Sequence, residues 1–288
     1  KRQEEYLVKL DAPDAARRLE ALRERIEAAN SMIASVRLLA RAGFATVDRK
    51  AFFTLAMLHN HGLFKAGAFL IGSHAYGALL NALGVRAVPY ATEDVDIARA
   101  GALAVAGTVP SFLAMLRATG IEFFEVPSLR RREPSTSFAE RGRSRLRVDL
   151  LVPSRGTDYP IVAVPELKAH AKGLPYLGYL LGASQQVPVL SAQGVVRVRT
   201  PVPERFAIHK LIASQLRNKT SSKPEKDLVQ AATLIEALTV RFPGAVEDAL
   251  EAAPRSAKRH LKWAVKALKI HLPASAVSAW EAMTSISA

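Results

Sequence analysis

The sequence predicts an α+β protein, with a small mixed β-sheet core and helical N-terminal and C-terminal regions. Two observations carry this. Short apolar, strand-like runs alternate with helical stretches between residues 63 and 165, and long stretches of helical periodicity lie on both sides. The expected divisions are residues 1–62, 63–165 and 166–288.

Each element follows from local pattern. From Asp14 to Ala42, Leu19, Leu22, Ile26, Ala29, Ile33 and Val36 recur at three- and four-residue steps, which describes one long amphipathic helix. Asp48 to His61 is a second helix, ended by Gly62. A buried strand is expected from Gly67 to Gly72, then a helix from Ser73 to Leu83 that stops at Gly84. The strand of Glu93-Asp94-Val95-Asp96-Ile97 comes next. Ser111 to Thr119 reads as helix, Glu122 to Val126 as strand, and Arg143 to Val152 as a strand leading into Pro153. After Pro165 the expectation is mostly helix, with one strand at Val195 to Arg199. The helices are Pro203 to Leu216, Pro224 to Leu238, Val246 to Ala252, Ser256 to Ile270 and Ala274 to Met283, punctuated by prolines.

The composition narrows the class. The 288 residues are 49% hydrophobic, enough for a substantial core. There is no cysteine, so neither disulfides nor thiolate metal sites arise, and with no apolar signal segment the expected location is the cytoplasm. Leu70 to Ala87 is broken by His74, Asn81, Gly84 and Arg86, short of the roughly 20 apolar residues a membrane span needs, so no membrane partner is expected. A formal charge of +14 and a pI near 10.2 point to polyanionic partners: nucleotides, nucleic acid or an acidic protein.

The chemistry concentrates in three acids set in apolar strands. Asp94 and Asp96 are two apart on one strand and so share a face, while Val95 and Ile97 turn to the core. Side-by-side carboxylates repel unless a cation lies between them, and all-oxygen ligands suit Mg²⁺ shared with substrate phosphates. Asp149 sits in Arg147-Val148-Asp149-Leu150-Leu151-Val152. Upstream, Gly72-Ser73 lies between a strand and a helix, where glycine permits close backbone approach and the first helical turn offers amides to a phosphate. Ser73 either caps that helix or touches phosphate itself.

These residues resemble the nucleotidyltransferase superfamily related to DNA polymerase beta. The match lies in Ile71-Gly72-Ser73, in Asp94-Val95-Asp96 and in the third acid, Asp149. The longer text from Leu70 to Tyr76, with Leu83-Gly84-Val85 and Thr92 to Ile97, is similar to a bacterial family described only as nucleotidyltransferases. The resemblance covers roughly residues 65 to 155 and continues more weakly to about 240. It implies a nucleotidyltransferase core in which Asp94, Asp96 and Asp149 are catalytic metal ligands for Mg²⁺ or Mn²⁺. Asp94 and Asp96 would hold the metal that carries a nucleoside triphosphate, and Asp149 would help bind a second metal and activate an acceptor hydroxyl.

Basic groups supply further candidates. Arg143, Arg145, Arg147 and Asp149 share one strand face if the alternation is regular, which places candidate acceptor or phosphate contacts beside the acids. With Arg130-Arg131-Arg132 they form a cationic wall, or else they keep an edge strand soluble. Lys210, Ser214 and Arg217 follow helical spacing. With Lys226 and Asp227 they resemble the downstream basic elements of some nucleotidyltransferases, so Lys210 and Arg217 are nucleotide-binding candidates and Lys226 a phosphate contact. Asp227 equally reads as favouring its helix's positive start. Arg255, Lys258, Arg259, Lys262, Lys266 and Lys269 line one helix face, either for nucleic-acid phosphates or for solvent. The histidines lack metal-ligand spacing, Gly72-Ser73-His74 does not match a serine nucleophile elbow, and Trp263 and Trp280 are expected to pack.

The expected activity is metal-dependent, ATP-binding or other NTP-binding nucleotidyl transfer of NMP from an NTP to a hydroxyl on tRNA, another nucleic acid or a protein. A noncatalytic nucleic-acid-binding protein of the same fold is the alternative, and a toxin-like modifier of tRNA or protein a third.

Overall fold

A computed structural model describes residues 13–86, 92–104, 110–128, 130, 132–142, 146–156, 158–218, 220–272 and 281. In chain order, the elements are α1 (Ala15–Arg41), α2 (Arg49–Asn60), β1 (Ala68–Ile71), α3 (Gly72–Ala82), β2 (Asp94–Arg99), α4 (Phe112–Arg117), β3 (Phe123–Glu125), β4 (Ser137–Glu140) and β5 (Arg147–Pro153). They continue with β6 (Ile161–Val164), β7 (Ala169–Leu174), α5 (Leu177–Leu180), β8 (Ser184–Ser191), β9 (Gly194–Pro201), α6 (Pro203–Leu216), α7 (Lys223–Arg241), α8 (Ala245–Glu251) and α9 (Lys258–Leu268). The fold is α+β with a mixed sheet, as expected. No described helix is long and apolar enough to cross a membrane.

The main sheet runs β1-β2-β5-β4-β3. β1 is antiparallel to β2, β2 is parallel to β5, and β4 is antiparallel to β5. Along its second half β5 exchanges β4 for β7, which lies parallel to it and carries β6 on its other side. Val95, Ile97, Val148 and Leu150 are fully or almost fully buried. Phe112 of α4 meets Phe138 of β4 edge to face, with ring centroids 5.1 Å apart. Alternation thus sends the apolar side chains of β2 and β5 into the core and leaves their acids on the opposite face.

The helical ends differ from each other. α2 starts where the Asp48 carboxylate accepts from the Lys50 and Ala51 amides, and it buries Phe52, Leu55 and Leu58. α1 buries only Ala15 and Val36 among its residues, so the apolar stripe of the expected amphipathic helix stays largely uncovered, with Ile26 50% exposed. α6 packs on α7, α8 and α9. The apolar face expected for the last of these is buried through Leu261, Ala264, Val265 and Leu268.

Beyond Pro165 the chain holds more strand than its pattern suggested. β7, read as Ala-His-Ala-Lys-Gly-Leu, is poor in β-branched residues and gains its conformation from pairing with β5 and β6. β8 carries Pro188 in its middle, a residue tolerated in a strand that, among the described residues, pairs with one other strand, β9. The helix expected over 274–283 lies, apart from position 281, outside the described residues.

Candidate active site

The acids meet in one lateral row. Strand register pairs Ile71 with Asp96, Asp96 with Asp149, and Asp149 with Ser137. Asp94, two residues before Asp96 on the same face, pairs with Arg147. Asp94 is exposed, and Asp96 and Asp149 are half-buried.

Gly72 shapes this row. It has φ +70°, and a Cβ there would lie 2.0 Å from Asp96 Oδ2. Only glycine therefore lets the start of α3 pass against the Asp96 carboxylate. Ser73 makes no capping bond, since α3 begins without any side-chain cap. Of the two roles expected for Ser73, capping is thus not the one adopted, and the amides of the first turn keep their outward potential for an anion.

The electrostatics follow from the placement. Burial pushes the Asp96 carboxyl up to about 6, helped by the Asp149 carboxylate and, to a smaller extent, that of Asp94, against the pull of Lys210 and Arg217. Asp149 has partners of its own. Its Oδ1 accepts from Arg147 Nε at 2.9 Å and from the Ser137 hydroxyl, which in turn accepts from Arg147 Nη2 at 2.7 Å.

Whether a divalent cation fits is decided by these donors. The carboxylates of Asp94 and Asp96 share a face, are hard oxygen ligands, and are repelled from each other in a way that a cation would reverse. Asp149 faces the same row but is tied to Arg147 and Ser137. Among the described residues no three His, Asp or Glu side chains are gathered closely enough to hold a metal ion. The Asp94–Asp96 pair fits such an ion, and Asp149 would join it by loosening its hold on Arg147.

The α6–α7 hairpin supplies the cations, though not as free groups. Lys210 Nζ donates to Asp227 Oδ1 at 2.6 Å, and Arg217 Nε donates to Asp227 Oδ2. Lys210 and Asp227 are buried, while the Arg217 side chain is 40% exposed. Burial depresses the Lys226 ammonium, with Lys210 adding to the effect and Asp227 and Asp94 opposing it. Through these couplings Lys210, Arg217 and Lys226 lie within electrostatic reach of Asp94 and Asp96. Arg147 borders Asp149, whereas Arg143, Arg145 and Arg131 lie outside the described residues. Trp263, expected to pack, is instead 58% exposed on α9, with Lys266 Nζ 5.3 Å from its ring centroid.

A family model described as Nucleotidyltransferase matches residues 52–254. The chain belongs to this nucleotidyltransferase family. No curated protein matches it. The nucleotidyltransferase segment begins inside α2 and ends just past α8, so it contains the acid row and the α6–α7 hairpin, while α1 and α9 lie outside it.

Sequence reading did not single out Ser137, which touches the third acid. Its strand, Ser137-Phe138-Ala139-Glu140, buries its first two residues and leaves the last two partly exposed, with no alternation to mark a face. Only the register against β5 reveals which acid its hydroxyl meets. His74 was also passed over. It is 7% exposed, its Nε2 has no hydrogen-bond partner, and burial lowers its pKa to about 4.

Proposed function

We propose that this protein is a cytoplasmic enzyme that transfers a nucleoside monophosphate from an NTP to an acceptor hydroxyl and releases pyrophosphate. The observation that carries this reading is the acid row of Asp94, Asp96 and Asp149 against the Gly72 turn, in a chain of the nucleotidyltransferase family. The triphosphate lies between the amides at the start of α3 and the cationic hairpin of Lys210, Arg217 and Lys226. Asp94 and Asp96 would hold Mg²⁺ or Mn²⁺, which when bound neutralises phosphate charge and favours the leaving pyrophosphate. Asp149, oriented by Arg147 and Ser137, receives the proton of the acceptor hydroxyl as its oxygen bonds to the α-phosphorus. The bond from that phosphorus to the oxygen bridging to the β-phosphate breaks, and the electron pair leaves with pyrophosphate.

The test separates nucleotide binding from transfer. In Asp94→Asn/Asp96→Asn, Mg²⁺-dependent NTP binding measured by calorimetry should weaken strongly, and unchanged metal-dependent binding would reject the assignment. Asp149→Asn should retain more NTP binding than that double variant but lose about 10²–10⁴-fold in transfer rate, the range of general-base assistance. Near-normal transfer would move the third acid elsewhere, with Glu122 and Glu125 beside and within β3 the first alternatives. Incubation with each α-labelled NTP and a cellular RNA and protein mixture reads out the acceptor.

A second reading, noncatalytic nucleic-acid binding, draws on α9. Its exposed Trp263 stands among Arg259, Lys262 and Lys266, an aromatic within a basic face. Salt-sensitive RNA binding without NTP binding or transfer would favour it.

A further inference from the structure

The sheet order gives the acid row two different sides. On the β1 side lie Gly72 and the start of α3. On the β4 side lie Ser137 and Arg147, both bonded to Asp149. These same two residues line a cavity of about 1110 Å³, walled by the β3–β4 connection, the β5–β6 connection and Lys172 of β7. That volume is at the upper end of small-ligand pockets.

The lining has a definite chemistry. Among the described residues Arg130, Arg132, Arg147 and Lys172 line it against two carboxylates, Glu133 and Asp158. Tyr159 is 47% exposed, and Lys172 Nζ stands 5.4 Å from its ring centroid. The segment bearing this ring is pinned on both flanks. The Asp158 carbonyl accepts from the Ser154 hydroxyl at 2.9 Å, and the Pro160 carbonyl accepts from the Gly173 amide at 2.6 Å. Gly173 makes that approach possible, because a Cβ there would lie 2.8 Å from the Pro160 ring. A solvent-facing aromatic beside an ammonium, in a cavity that guanidiniums also line, matches a base on the ring and backbone phosphates on the cations.

We propose that this cavity is the acceptor subsite, and that it takes the terminal segment of a single-stranded nucleic acid, stacking a base on Tyr159 and presenting a hydroxyl to Asp149. This rests on the transfer reading given above. A neutral peptide acceptor would have no use for the cations, and the donor triphosphate is assigned to Lys210, Arg217 and Lys226, none of which lines the cavity. In the transfer step the terminal oxygen bonds to the α-phosphorus, its proton passes to Asp149, and pyrophosphate leaves.

Fluorescence anisotropy of the full chain with 5′-labelled single-stranded RNA and DNA 12-mers tests the assignment, the two oligonucleotides reporting which sugar is preferred. Tyr159→Ala should weaken binding of the preferred strand by about ten- to a hundredfold, while Tyr159→Phe retains it. Lys172→Gln should reduce the slope of log affinity against log salt by about one. Thermal melts of these variants should match that of the parent chain, because both side chains lie at the surface. The proposal is overturned if neither oligonucleotide binds, if binding ignores Tyr159→Ala, or if α-labelled NTP marks a protein instead. A parallel loss of NTP affinity in Tyr159→Ala would overturn it too, by placing the donor nucleotide in the cavity. If instead oligonucleotide binding follows Tyr159 and Lys172 while NTP binding ignores Mg²⁺ and Asp94→Asn/Asp96→Asn, the transfer reading fails and the nucleic-acid site stands.

Discussion

The acid row and the α6–α7 hairpin both crowd charges into a partly buried space, but they resolve the crowding in opposite ways. In the hairpin, one buried carboxylate pairs directly with two cations, Lys210 and Arg217, so every charge of the group has an opposite one in contact. In the row, Asp94, Asp96 and Asp149 bear like charge. Asp149 pairs with Arg147, and Asp96 answers the crowding by holding its proton to about 6. A cluster that pairs its charges with opposite ones stabilises the fold. One that does not is poised for a ligand. Lys210, named as a nucleotide contact, spends its ammonium on Asp227, while its field reaches Asp96.

The largest effect should come from breaking the ion-paired cluster. Asp227→Asn leaves Lys210 buried without its counter-charge and should cost about 3–5 kcal/mol in urea denaturation. Lys210→Met/Asp227→Leu replaces the pair by apolar volume and should recover most of that loss. This double variant sharpens the comparison, because its NTP affinity isolates what the ammonium does for ligand. Unchanged affinity would confine Lys210 to the fold, whereas a clear loss would give it both roles. An Asp227→Asn protein as stable as the parent would remove the contrast.

Next comes the contact that shapes the acid row. Gly72→Ala introduces a Cβ against Asp96 and places alanine at φ +70°, and together these should cost about 2–4 kcal/mol. Part of that cost is the contact itself. In an Asp96→Ser background, where the obstructing carboxylate is gone, the same change should cost at least about 1 kcal/mol less, the remainder being backbone strain. Equal costs in the two backgrounds would mean that Gly72 serves only its backbone angle.

What could be read from the chain beforehand was the local periodicity. Val95 and Ile97 between acids, and Val148 and Leu150 around Asp149, declare which face each strand buries. The strand-to-helix turn at Gly72 was equally legible. That Asp96 faces Asp149 and Asp149 faces Ser137 depends on register between strands far apart in sequence, and no local pattern encodes it. Asp227 could be read as favouring its helix's positive start, but its partners lie 17 and 10 residues upstream, where only the packing of α6 on α7 brings them. Trp263 shows the converse. Its size suggested packing, yet its position on α9 falls on the basic side of the stripe formed by Leu261, Ala264, Val265 and Leu268.

The smallest effect is a pH dependence in which the row and its neighbour act with opposite sign. His74, buried in α3 beside the row, has its pKa lowered from 6.5 to about 4, chiefly by burial. Below pH 6.5 the unfolded chain takes up a proton that the folded imidazole refuses, so stability is lost as pH falls from about 6.5 towards 4. His209, lowered to about 4 by burial and by Lys210, acts in the same direction. Asp96, raised from 3.8 to about 6, acts the other way: its folded form accepts a proton first, and stability is gained as pH falls through 6 towards 4. Between pH 7 and pH 5 the His74 and Asp96 contributions are each of order 1–2 kcal/mol. Urea denaturation at pH 7, 6 and 5 in the presence of a chelator should therefore show a modest net loss of stability on acidification in the parent chain. His74→Leu should flatten that loss and Asp96→Asn should steepen it. Three parallel profiles would mean that neither group titrates differently in the folded and unfolded chains, and the acid row would then lose its distinction from the ion-paired hairpin.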